Sequence, residues 1–123
     1  MTKKYQQLKA LGSGGEAAVA AWLADQGFKI LAQNYLVRSG EVDVIAQKGD
    51  TVVFVEVKTR NTQYFSLSQL ITKSKQQKIG RAARHFALEN KLFSHVLRFD
   101  IATVLHSNGS FSIEYIENAF IPN

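Results

Sequence analysis

Along residues 52 to 60, VVFVEVKTR, the apolar Val53, Val55 and Val57 alternate with Phe54, Glu56 and Lys58. A period of two predicts a strand with one apolar face, and it leaves a carboxylate and an ammonium two residues apart on the other. Just upstream, EVDVIAQ reads as a second strand, and Lys48, Gly49 and Asp50 between the two are hairpin punctuation. Elsewhere the pattern shifts to helical spacing. From about Ser13 to Gln26, Ala17, Ala20, Ala21 and Ala24 recur at that spacing, and Gly27 suits a left-handed C-terminal cap. A strand follows in FKILAQNYLV. A long helix is predicted from about Leu67 to Asn90, with Leu70, Ile71, Ile79, Ala82, Ala83, Phe86 and Ala87 on one face. HVLRFDIATVLH and FSIEYIENAF then read as two more strands around a turn at Ser107 to Gly109.

The predicted order is αβββαββ. A strand, a long helix and a further strand usually make a right-handed crossover, so the expected fold class is α/β, a mixed central sheet flanked by helices. No repeat, low-complexity tract or linker interrupts the pattern, and the single proline is Pro122. Residues 1–123 therefore read as one domain.

The hairpin carries the first candidate chemistry. Centred between Gly49 and Asp50, it pairs positions that sum to 99, which sets Asp43 opposite Glu56 and Glu41 opposite Lys58. A Glu41–Lys58 ion pair at the hairpin base is an ordinary structural feature. Two carboxylates facing each other repel, and a compensating charge is required. A hard divalent cation such as Mg2+ or Mn2+ supplies it, because such ions take one or two carboxylates, keep several waters and accept phosphate oxygens. A one-residue bulge shifts this register, and the slipped arrangement stays open. With Lys58 beside them, Asp43 and Glu56 form a set suited to phosphodiester hydrolysis: a bound metal lowers the pKa of its water, and the ammonium steadies charge in the transition state.

SGEVDVIAQ followed by VFVEVKTR resembles the YraN-like family of predicted nucleases, which share a restriction-endonuclease-like fold and a D…ExK signature. The matching residues are Asp43, Glu56, Val57 and Lys58. GGEAAVAAWLADQGFKILAQNY, KQQKIGRAARHFA, LRFDIATV and NAF resemble other segments of that family, so the resemblance spans nearly the whole chain. It implies a metal-dependent nuclease with Asp43, Glu56 and Lys58 as catalytic residues and the two acids as metal ligands. The more distantly similar archaeal Holliday-junction resolvases add an acid on the first helix, and Glu16 matches it in position. Glu16 has a second reading, as the partner of Ser13 in a capping box.

Charge adds a partner to the picture. Fifteen Lys and Arg against ten Asp and Glu give a net charge of +5, which suits a polyanion. Lys73, Lys75, Lys78, Arg81 and Arg84 fall on the second helix with no acid among them. Lys75, Lys78, Arg81 and Arg84, with Arg60 at the end of the strand, are the expected contacts to a nucleic-acid backbone, DNA ahead of RNA and without base reading. Tyr64 and Phe65 read as packing residues or as stacking platforms for unpaired bases. The three histidines show no metal-ligand spacing, and Asp100 reads as a structural acid beside Arg98.

The absence of cysteine excludes disulfides and thiolate zinc sites and is compatible with a cytoplasmic location. AAVAAWLA is too short to span a bilayer, so no membrane association is expected. Oligomeric state is open, a homodimer included. Two rivals to the nuclease remain: a non-catalytic nucleic-acid-binding module, and a protein-interaction subunit whose acids and lysines are internal ion pairs.

Overall fold

A computed structural model describes residues 2–6, 14–60, 71–107 and 110–122, with side chains placed over 15–59, 71–105 and 112–122. Six strands form one sheet: β1 (Thr2–Gln6), β2 (Lys29–Val37), β3 (Gly40–Lys48), β4 (Thr51–Arg60), β5 (Val96–Ser107) and β6 (Ser110–Ile116). Their order is β1-β6-β5-β4-β3-β2, and every neighbouring pair is antiparallel except β4 with β5. The mixed α/β fold is the expected one. Helix α1 (Gly14–Asp25) precedes β2, and helix α2 (Lys73–Glu89) lies between the parallel strands β4 and β5.

Two sequence expectations need correction. The order begins with a strand, β1, because TKKYQ pairs with β6 without any apolar alternation of its own to announce it. The second helix starts at Lys73 and not near Leu67. Thr72 is extended and its hydroxyl accepts from the Lys75 amide at 3.2 Å, which caps the helix there. Ser13, Tyr64, Phe65 and Leu67 to Leu70 lie outside the described residues.

Strand β4 is buried on both faces. Val53 and Val55 pack with Val19, Trp22 and Leu23 of α1, whereas Val52 and Phe54 pack with Ile79, Ala83 and Phe86 of α2. Each helix thus covers one face of the sheet through its own core. The alanines at helical spacing announce α1, yet its core stripe is Ala18, Val19, Trp22 and Leu23, with Ala24 exposed. Gly27, at φ +96°, ends α1 in the left-handed conformation expected of a cap. Removing the fully buried Phe54 ring, which stacks on Phe99 at 5.4 Å, would cost about 3–5 kcal/mol.

A buried acid ties the end of the fold to β5. Asp100 accepts from Arg98 Nη2 at 2.9 Å, from the Tyr115 hydroxyl at 2.6 Å and from the Asn118 amide at 2.8 Å. Burial, followed by the Asp100 charge, raises the Tyr115 pKa, so its phenol stays a donor. Asp100 is spent on structure, consistent with its pairing to Arg98.

Candidate active site

The β3–β4 ladder runs from Lys48↔Thr51 to Val44↔Val55, every pair summing to 99 as the hairpin punctuation predicts. One step further the two chains part. Asp43 and Glu56 stand at that opening, where the Asp43 Oδ2 accepts from the Val57 amide at 2.8 Å. A side chain thus replaces a carbonyl as the acceptor for β4.

The opening coincides with a change of face in β3. Val44 and Ala46 pack on the α1 side and Ile45 on the α2 side, as alternation requires. Val42 also packs on the α2 side, so the alternation breaks at Asp43. Strand β2 does the same: Ala32 and Tyr35, three apart, both pack toward α2. Between them is Asn34, at φ +53°, which the pairs Gln33↔Val44 and Tyr35↔Val42 place across from Asp43. Asparagine tolerates this left-handed conformation better than most residues. A matched kink in both strands therefore keeps their register while placing Asp43 where the two faces of the sheet meet.

Acids from either face converge on it. Glu16, in the first turn of α1, comes within electrostatic reach of Asp43 and Asn34. Burial first, and then the Asp43 charge, push its pKa above the usual carboxylate range, while the Asn34 amide pulls it down. Gly15 brings this turn close: a Cβ there would stand 2.6 Å from Thr59 Oγ1. From the other face comes Glu56, only 3% exposed. Its pKa is raised by burial and then by Asp43, against the opposing pull of Lys58 and Lys75.

The two oxygens of Glu56 differ. Oε2 meets Lys58 Nζ at 3.1 Å and Lys75 Nζ at 3.9 Å. Oε1 is buried with no hydrogen-bond partner, and so is Glu16 Oε1. Orphaned carboxylate oxygens are costly and rare. Among the described contacts, then, the Lys58 ammonium pairs with Glu56 on its own strand and not with Glu41 across the hairpin.

Those orphaned oxygens, on opposite sides of Asp43, are hard donors of the kind Mg2+ or Mn2+ takes. Among the described residues no three acids or histidines converge closely enough to form a ready metal cage. The donor set fits an ion held by one or two carboxylates and otherwise by water.

The basic residues of α2 separate. Lys75 lies on the helix face that carries Ile79, Ala82 and Phe86, and so reaches Glu56. Each three-residue step from Lys75 falls about 60° short of a turn. Lys78 is exposed, and its carbonyl abuts Gly40, where any Cβ would collide with it. The Arg81 Nε donates to the Ser39 carbonyl at 3.4 Å. Arg84 lies further round the helix and lines a separate groove. Arg60 ends β4, with its side chain outside the described residues.

Sequence reasoning missed Asn34. Its one signal was an asparagine in the middle of KILAQNYLV, since asparagine is depleted in strands and enriched in left-handed backbone. It also treated Lys75 as one cation of a stripe.

The chain is 42% identical over 117 residues to a UPF0102 protein of Desulforapulum autotrophicum, covering 93% of this chain and 95% of that one. A UPF0102 protein of Geobacter metallireducens is 39% identical over 113 residues, with 91% and 93% covered. One from Treponema pallidum is 45% identical over 95 residues, with 76% and 75% covered. Residues 15–104 match the family described as "Uncharacterised protein family UPF0102", a span that runs from the start of α1 into β5 and takes in Glu16, Asn34, Asp43, Glu56, Lys58 and Lys75. The chain therefore belongs to the UPF0102 family, the YraN-like family that its D…ExK segment resembles.

Proposed function

We propose that this protein is a metal-dependent nuclease that hydrolyses phosphodiester bonds in nucleic acid, DNA ahead of RNA, using Mg2+ or Mn2+. One observation carries the reading: buried carboxylate oxygens of Glu16 and Glu56 that lack any partner flank Asp43, next to two ammonium groups. An ion held there supplies a more acidic water and offsets charge on the phosphoryl group. Asp43 and Glu56 hold it, and Glu16 adds a ligand or positions Asp43. The Val57 amide fixes the Asp43 carboxylate through Oδ2. Lys58, a quarter exposed, can leave Glu56 to meet a non-bridging phosphate oxygen or to orient the attacking water. Lys75 remains beside Glu56 and favours its charged form, while Lys78, exposed on the same helix, engages the backbone without reading bases.

A second reading has its own support. Lys58 and Lys75 already offset the Glu56 charge through Oε2, so a binding module that needs no metal is consistent with that half of the site. Calorimetric titration of Mn2+ separates the two. Asp43→Asn should weaken Mn2+ binding at least roughly tenfold with no loss of metal-free nucleic-acid affinity. Equal Mn2+ affinity in parent and variant removes Asp43 as a ligand and leaves the binding module.

A further inference from the structure

Away from the carboxylates, α2, Phe93, the start of β5 and residues 121–122 border an open groove of about 570 Å³. Four apolar side chains that line it are exposed: Leu88 at 61%, Phe93 at 74%, Leu97 at 36% and Ile121 at 75%. Single exposed apolar residues are ordinary, but four converging on one concave surface mark an interaction site. Arg81 and Arg84 stand on the helix side of the groove, and no carboxylate is among the residues that line it.

We propose that this groove docks an acidic amphipathic segment of a partner protein. The apolar floor takes the partner's apolar face, and Arg81 and Arg84 take its carboxylates. From Gln77 to Leu88 the lining stretch of α2 rises about 16 Å, the length of three helical turns, so a short helix laid alongside matches it. Charge argues against a second copy of this chain. A two-fold contact through the groove sets the Arg81 and Arg84 of one copy against those of the other, with no lining acid to pair them and +5 on each chain. A phosphate backbone would satisfy the arginines but leave Leu88, Leu97 and Ile121 facing polar groups. Docking here leaves the carboxylates, near Lys75 on the opposite face of α2, open. The inference stands apart from the nuclease reading.

The test uses the full chain and a fluorescent helical probe of about 14 residues, with leucine along one face and glutamate on the other, and a matched probe with lysine for glutamate. Fluorescence anisotropy should show the glutamate probe binding at least roughly tenfold more tightly than the lysine probe. Phe93→Ser and Arg84→Glu should each weaken it by about tenfold or more, with Ile121→Ser as a second apolar variant and circular dichroism melts to establish that all three are folded. Equal affinity for both probes, or binding untouched by these variants, overturns the proposal. It is overturned too if sedimentation shows a self-associated species that Phe93→Ser dissociates, or if Phe93→Ser costs affinity for an oligonucleotide while sparing the glutamate probe.

Discussion

Glu56 is a buried acid with one oxygen bracketed by two ammonium groups and the other left bare. Its pKa is held above the ordinary value of 4.5, first by burial and then by Asp43. The folded state consequently binds the Glu56 proton more tightly than the unfolded state does. That contribution to stability is complete below pH 4.5 and is lost as pH rises through the raised folded value. Thermal melts of metal-free protein should therefore fall over that window in the parent, and Glu56→Gln should flatten the fall; an identical profile in both would remove Glu56 as its source. Asn34 allows a finer test. Asn34→Gly accepts the left-handed backbone and loses only the amide, whereas Asn34→Ala also pays about 1 kcal/mol for that conformation. Melting should rank parent, Gly and then Ala if the kink is what Asn34 supports. The placing of Glu56 and Lys58 on one face was legible because the alternation of β4 is strict, and that of Asp43 beside them because the hairpin register carries to Val44↔Val55. Asn34 was not, because its role depends on a partner strand and on a backbone angle that one residue's identity does not announce.

Among the elements, the β3–β4 hairpin was the most legible, since Gly49 at φ +60° fixes the turn and the turn fixes the register. The parting of the strands beyond Val44↔Val55 was not legible. It arises from Asp43 capturing the Val57 amide and from a matching break in β2, two strands acting together. Strand β1 escaped notice because TKKYQ is polar and gains its order from β6. Helix α2 was visible through Ile79, Ala82, Ala83 and Phe86, but its start depends on the Thr72 cap. The packing of α2 on the β2–β3 turn gives a prediction at this scale. A Cβ at Gly40 would collide with the Lys78 carbonyl, a backbone atom that cannot rotate away. Gly40→Ala should cost about 1–3 kcal/mol, read as a lower urea midpoint. An unchanged midpoint would mean that the turn does not hold α2 in place.

For the molecule as a whole, one sheet with a described helix on each face brings α1, β3, β4 and α2 together around Asp43, with Glu16 approaching from α1 and Glu56 from the α2 side. No helix among the described residues is long and apolar enough to cross a membrane. Basic charge and the carboxylate cluster are the two features that the nuclease proposal joins, and Lys58 is the residue on which they meet. The most direct test is cleavage of branched, duplex and single-stranded DNA and RNA by purified protein in Mn2+ and in Mg2+, parent beside Lys58→Ala. The account predicts that the parent cuts at least one substrate only with metal present, and that Lys58→Ala cuts it roughly 100-fold more slowly at unchanged metal affinity. No cleavage of any substrate by the parent, or cleavage that persists unchanged in Lys58→Ala, would contradict it.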